Sequence, residues 1–82
     1  MKTTKKIKFE TFDKVNQFVR FITDFESDID VVSGRYVVNA KSIMGIYSLD
    51  LSKELDLNIY ENIEGETEKI VQKLKELNII AE

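Results

Sequence analysis

Two hydroxyls carry the chemistry open to this chain, Ser42 and Thr11, and each stands just ahead of a segment that reads as a helix. A serine at a helix start presents its oxygen beside free backbone N–H groups. A phosphate ester there meets the positive end of the helix dipole and can draw in the neighbouring Lys41. The same oxygen is also a favoured N-cap, worth about 1 kcal/mol, so Ser42 reads as either a modifiable switch or a plain cap. Thr11 has no base to activate it and is a weak nucleophile; its bland reading is a cap. The 82 residues contain no histidine and no cysteine, which leaves no thiolate or imidazole for a metal. Asp24, Glu26, Asp28 and Asp30 read as a solvated face, and no two carboxylates stand in a catalytic arrangement. No enzyme activity, cofactor or metal is expected.

The elements that must position these hydroxyls follow from hydrophobic period. Lys6-Ile7-Lys8-Phe9-Glu10 alternates and predicts a strand. Val15, Phe18, Val19 and Ile22 then recur at i, i+3, i+4 and i+7, one face of an amphipathic helix, with Thr11 or Asp13 as its cap. Asp28–Val32 alternates again. Ser33-Gly34 marks a turn, and Arg35–Ala40 is a third strand paired with the second. Ser42–Leu49 reads as a short helix. Glu54–Tyr60 alternates most cleanly, with Leu55, Leu57 and Ile59 inward. A last helix carries Ile70, Val71, Leu74 and Leu77 on one face, with Glu66 and Glu68 in its first turn, Lys73 and Lys75 near its end, and Asn78 as its stop. The order is β-α-β-β-α-β-α. Strands with one apolar face need a cover, and the helices supply it. The expected class is α+β, an open-faced sandwich.

Length and charge narrow the rest. Eighty-two residues make one domain, 1–82, with a small core. Without disulfides it must rest on packing, for which a hydrophobic content of 43% suffices. A net charge of −3 gives no basic footprint, so nucleic acid is not an expected partner. No apolar run reaches membrane-spanning length, and Met1–Lys6 is basic without a following hydrophobic region, so it does not read as a signal peptide. The cytoplasm is the default location. The three glycines, Gly34, Gly45 and Gly65, form no phosphate-loop pattern.

Two segments carry a resemblance that extends over nearly the whole chain. Phe18-Val19-Arg20, followed by Phe25-Glu26-Ser27-Asp28-Ile29-Asp30-Val31, looks like the end of the first helix and the second strand of HPr, the small phosphocarrier of the bacterial sugar phosphotransferase system. Val38-Asn39-Ala40-Lys41-Ser42-Ile43-Met44-Gly45 closely resembles that family's regulatory-serine motif. The resemblance implies a four-stranded antiparallel sheet in the order 1-4-2-3. It also implies that Ser42 is a site for HPr kinase/phosphorylase, and that the modified form binds a catabolite-control-type transcription regulator. The apolar residues on the short helix, Ile43, Met44 and Tyr47, correspond to the family's docking patch beside Lys41. Ile43 and Tyr47 share a face as i, i+4 neighbours, although Tyr47 replaces the more usual methionine or leucine.

The departure lies at the carrier site. Counted back without gaps from Phe18, the family's Gly-Leu-His-x-Arg-Pro-Ala motif falls on Phe9-Glu10-Thr11-Phe12-Asp13-Lys14-Val15. Thr11 stands in the histidine's place, Asp13 in the arginine's and Lys14 in the proline's. Phosphoryl carriage needs a nitrogen nucleophile and a cation; here the nucleophile is gone and an anion replaces the cation. The expectation is a regulatory or adaptor protein without carrier activity, docking partners through the Ser42 helix. The alternative is a constitutive interaction or self-associating module in which Ser42 only caps. The oligomeric state is not legible.

Overall fold

The structure is a computed structural model and describes residues 2–81. Its elements are β1 (Lys2–Ile7), α1 (Phe12–Ile22), β2 (Asp28–Ser33), β3 (Tyr36–Asn39), α2 (Ile43–Tyr47), β4 (Leu55–Tyr60) and α3 (Glu66–Glu76). The four strands form one sheet in the order β1-β4-β2-β3, every neighbour antiparallel. Both the class and the strand order are those expected.

Period-two alternation in the inner strands builds the core. Leu55, Leu57 and Ile59 of β4 and Ile29 and Val31 of β2 are buried on the same face, paired as Ile29↔Ile59 and Val31↔Leu57. Val15, Phe18 and Ile22 of α1, Ile46 of α2, and Ile70 and Leu74 of α3 complete the cluster. The other face of the sheet carries Lys6, paired with Asp56 at 2.6 Å, and Thr4, whose hydroxyl donates to Asn58 at 2.7 Å. That face is mostly polar, with Val37 and Tyr60 as exposed apolar exceptions, and no described element covers it.

The first strand differs from expectation. It spans Lys2–Ile7 rather than Lys6–Glu10, so the basic leading segment is the strand itself. Thr3 and Lys5 share the inward parity of Ile7 at the sheet edge, where lysine stems can line apolar surface while their heads reach water. That arrangement gives no hydrophobic alternation to read. Beyond Ile7 the chain leaves the sheet: Lys8 N–H donates to Ile79 O at 2.8 Å, and Glu10 takes a left-handed φ of 71°. Phe9 is nevertheless fully buried, with its ring edge-on to Phe18 at 5.1 Å. Its apolar character reported the core, not the strand.

The end of the described chain closes the molecule. Asn78 (φ 56°) terminates α3 in a left-handed turn, and Ile79 N–H reaches back to Leu74 O at 2.9 Å, a Schellman closure. Ile79 is then buried, Ile80 bridges Ile7, and Ala81 N–H donates to Lys6 O at 2.9 Å.

Candidate functional site

Ser42 is exposed, in extended backbone, immediately before α2. Asn39 shapes the approach. Its side-chain oxygen accepts from Lys41 N–H at 2.8 Å and its carbonyl from Ser42 N–H at 2.9 Å. The Ser42 hydroxyl oxygen accepts from Gly45 N–H at 3.2 Å, an N-cap. Gly45 sits in close approach: a Cβ there would lie 3.2 Å from both Ser42 Oγ and Val38 Cβ, so these neighbours would have to give way by a few tenths of an ångström. The absent side chain lets α2 lie against β3 with its cap in place.

Lys41 does not turn to Ser42. Its ammonium donates to Phe25 O at 2.6 Å, at the loop between α1 and β2. Beside it Ser27, fully buried, donates its hydroxyl to Glu66 Oε1 at 2.6 Å and accepts from Asn62 N–H at 3.1 Å. The Ser27 hydroxyl, then the N–H groups of Glu26 and Ser27 and the nearby Lys41, hold the Glu66 carboxyl below its ordinary range.

Of the residues proposed for docking, Ile43, Met44 and Tyr47 lie on α2 and Lys41 just ahead of it. Met44 is 73% exposed, whereas Ile43 and Tyr47 are half-buried against the core and Ile46 is fully buried. Tyr47 ties α2 to α1: its hydroxyl donates to Asn16 Oδ1 at 2.7 Å, and its ring meets Phe12 edge-on at 5.3 Å. Phe12 is 67% exposed and, with Tyr47, lines an open apolar depression. Sequence reasoning missed Phe12 as part of this surface. The available signal was a large aromatic directly after a helix cap, one turn ahead of Val15 on the edge of the same stripe.

The start of α1 lies beside that patch. Thr11, and not Asp13, is the cap: its hydroxyl oxygen accepts from Lys14 N–H at 3.2 Å. Asp13 is exposed in the first turn. Lys14 sends its ammonium to Asn78 O at 3.0 Å, joining α1 to the end of α3. The three residues at the carrier position are thus a cap, a solvated carboxylate and a lysine bound to a helix terminus. No imidazole is present among them, the Lys14 ammonium is engaged at Asn78 O, and no cluster of described residues suits a metal ion.

A family model described as the PTS HPr component phosphorylation site matches residues 14–78. The chain belongs to the HPr family. The match opens at Lys14, past Thr11 and Asp13, and takes in the whole Ser42 segment. HPr-C-His from Thermoanaerobacter tengcongensis is 34% identical, with a TM-score of 0.71 over 93% of this chain and 91% of that one. An HPr dimer from the same organism is 38% identical, with a TM-score of 0.62 over 76% and 74%. The phosphocarrier protein HPr of Bacillus anthracis str. Ames is 23% identical and shares the fold, with a TM-score of 0.73 over 93% and 95%. HPr proteins are phosphocarriers rather than enzymes, and this chain is phosphocarrier-like by family membership. Partners of the phosphotransferase-system kind, themselves proteins, follow from that membership. No helix among the described residues is long and apolar enough to cross a membrane.

Proposed function

We propose that this HPr-family protein is a regulatory adaptor without carrier activity, docking partners through α2 and the start of α1. One observation supports it above the others. Exposed Phe12 and Met44, with half-buried Tyr47, form an apolar patch beside an α1 start whose hydroxyl, Thr11, already caps the helix. A carrier needs a nucleophile there; a docking module needs only the patch, since aromatics and methionine favour recognition. Ser42 is its control point. A phosphate on the exposed hydroxyl changes the charge at the patch edge with little burden on the fold. HPr kinase/phosphorylase is the modifying enzyme and a catabolite-control-type regulator the partner, both by family resemblance, in the cytoplasm.

The test is intact-mass analysis after incubation with ATP and an HPr kinase/phosphorylase, with Ser42→Ala as control. One phosphate on the wild type and none on the variant is expected. Enzyme I with phosphoenolpyruvate is expected to leave the chain unmodified; an acid-labile adduct would restore carrier activity.

The cap hydrogen bond from Gly45 N–H to Ser42 favours a second reading, a constitutive docking or self-associating module. The dimer reported for the Thermoanaerobacter tengcongensis HPr adds weight to self-association. Ser42→Asp without effect on an interaction that Ile43→Glu abolishes would select this reading, and sedimentation of the unmodified chain would tell whether the partner is a second copy.

A further inference from the structure

A second surface lies away from the Ser42 patch, between α1 and α3. Gln17, Arg20, Phe21 and Asp24 fall at i, i+3, i+4 and i+7 along one stripe of α1 and the turn after it, and Lys69, Lys73 and Leu77 at i, i+4 and i+8 along α3 and its C-cap. The two stripes line a pair of adjoining cavities, of about 310 and 360 Å³, which share Phe21, Asp24 and Lys73. The floor is apolar and held from below: Phe25 meets Phe21 edge-on at 6.3 Å, and Phe21 meets the buried Phe18 at 5.5 Å.

The rim is cationic. Arg20, Lys69 and Lys73 are exposed, and none forms an ion pair among the described residues. In a chain of net charge −3 the lining carries three exposed cations and one carboxylate, Asp24, with Glu66 held just beyond it by the N–H groups of Glu26 and Ser27. We infer that this groove is a docking site for an acidic peptide segment of a partner protein, with an apolar side chain against Phe21 and Phe25 and carboxylates against Arg20, Lys69 and Lys73. The charge of the rim selects the acidic partner, and the aromatic floor selects its apolar anchor. Shape favours a peptide over an anionic bilayer. The exposed large apolar residues, Phe12, Tyr36, Val37, Met44, Tyr60 and Ile63, all lie off this groove, so no wedge at its rim can enter lipid. Asp24 borders both cavities and repels carboxylates there, so it sets where along the groove the acidic residues lie.

The experiment uses the full chain and a fluorescein-labelled peptide with glutamates flanking a central Leu-Phe pair. Its controls are the same peptide with lysine for every glutamate, and vesicles of phosphatidylglycerol in phosphatidylcholine. Saturable binding of the acidic peptide is expected, with amide NMR shifts concentrated at 20–25 and 69–77. The Arg20→Gln/Lys73→Gln double variant, altered only at exposed positions, is expected to keep its melting temperature and weaken binding about tenfold, whereas Asp24→Asn tightens it about twofold. No saturable binding, equal binding of the lysine peptide, shifts centred on Phe12, Met44 and Tyr47, or binding to vesicles alone would each overturn the inference.

Discussion

At the scale of single residues, the site is governed by what each hydrogen-bonding group is already doing. Ser42 Oγ accepts from Gly45 N–H, so Ser42→Ala should lower stability by about 1 kcal/mol while the chain still folds. Urea denaturation measures this directly, and an unchanged midpoint would mean that water replaces the cap at no cost. Glu66 gives the molecule a pH dependence. Its carboxyl lies below its ordinary value of 4.5, first through the Ser27 hydroxyl, then through the N–H groups of Glu26 and Ser27 and the proximity of Lys41. The folded state therefore binds fewer protons here than the unfolded chain. The resulting stabilisation is complete above 4.5 and is lost as pH falls through the lower folded value. Denaturation midpoints followed downward from neutral pH should fall more steeply below 4.5 in the wild type than in Glu66→Gln; parallel curves would remove Glu66 as a cause. Asp50, held down by Ser52, and Glu61, held down by Thr67 N–H, contribute in the same direction.

At the scale of elements, the helix ends decide how the pieces meet. The turn after α3 depends on Asn78 at φ 56°, a conformation that costs most L-residues about 1–2 kcal/mol and glycine almost nothing. Asn78→Gly should hold or raise the melting temperature, and Asn78→Val should lower it clearly; calorimetry of the pair separates backbone strain from loss of the Asn side chain. The backbone carbonyl that receives Lys14 Nζ is retained in both variants, so the tie between α1 and α3 persists. Helix α2 spans only Ile43–Tyr47, shorter than the expected Ser42–Leu49. Such a helix cannot stand alone. Ile46 in the core, the Tyr47–Asn16 hydrogen bond and the Tyr47–Phe12 ring contact hold it in place.

At the scale of the whole molecule, the chain past α3 fastens the first strand. Ile79 is fully buried, and Lys8 N–H and Lys6 O both bond to residues 79–81. Ile79→Ala should cost about 2–5 kcal/mol, a large share of the stability of so small a core. It should also speed amide hydrogen exchange in β1 ahead of β2 and β4. Exchange that accelerates evenly across the sheet would show that the tail supports the core as a whole and not the β1 edge.

What the sequence determined by itself was whatever local period and side-chain chemistry encode. Leu55, Leu57 and Ile59 announced a half-buried strand, and Val15, Phe18, Val19 and Ile22 a helix. The segment around Ser42 pointed to the family, and the absence of histidine excluded the family's carrier nucleophile before any coordinates were needed. Contacts between distant segments were decided only by the tertiary structure. β1 was misplaced because an edge strand with Thr3 and Lys5 on its inward side shows no apolar alternation. Lys41 is adjacent in sequence to Ser42, and Lys14 lies three residues after Thr11, but their ammonium groups bond to Phe25 O and Asn78 O, carbonyls that only folding brings within reach. Phe12 joined the apolar patch for the same reason: its partner, Tyr47, lies on another helix. A residue's period reports which face it occupies, but a long flexible side chain takes the best partner in space, and that partner is set by how the helices pack on the sheet.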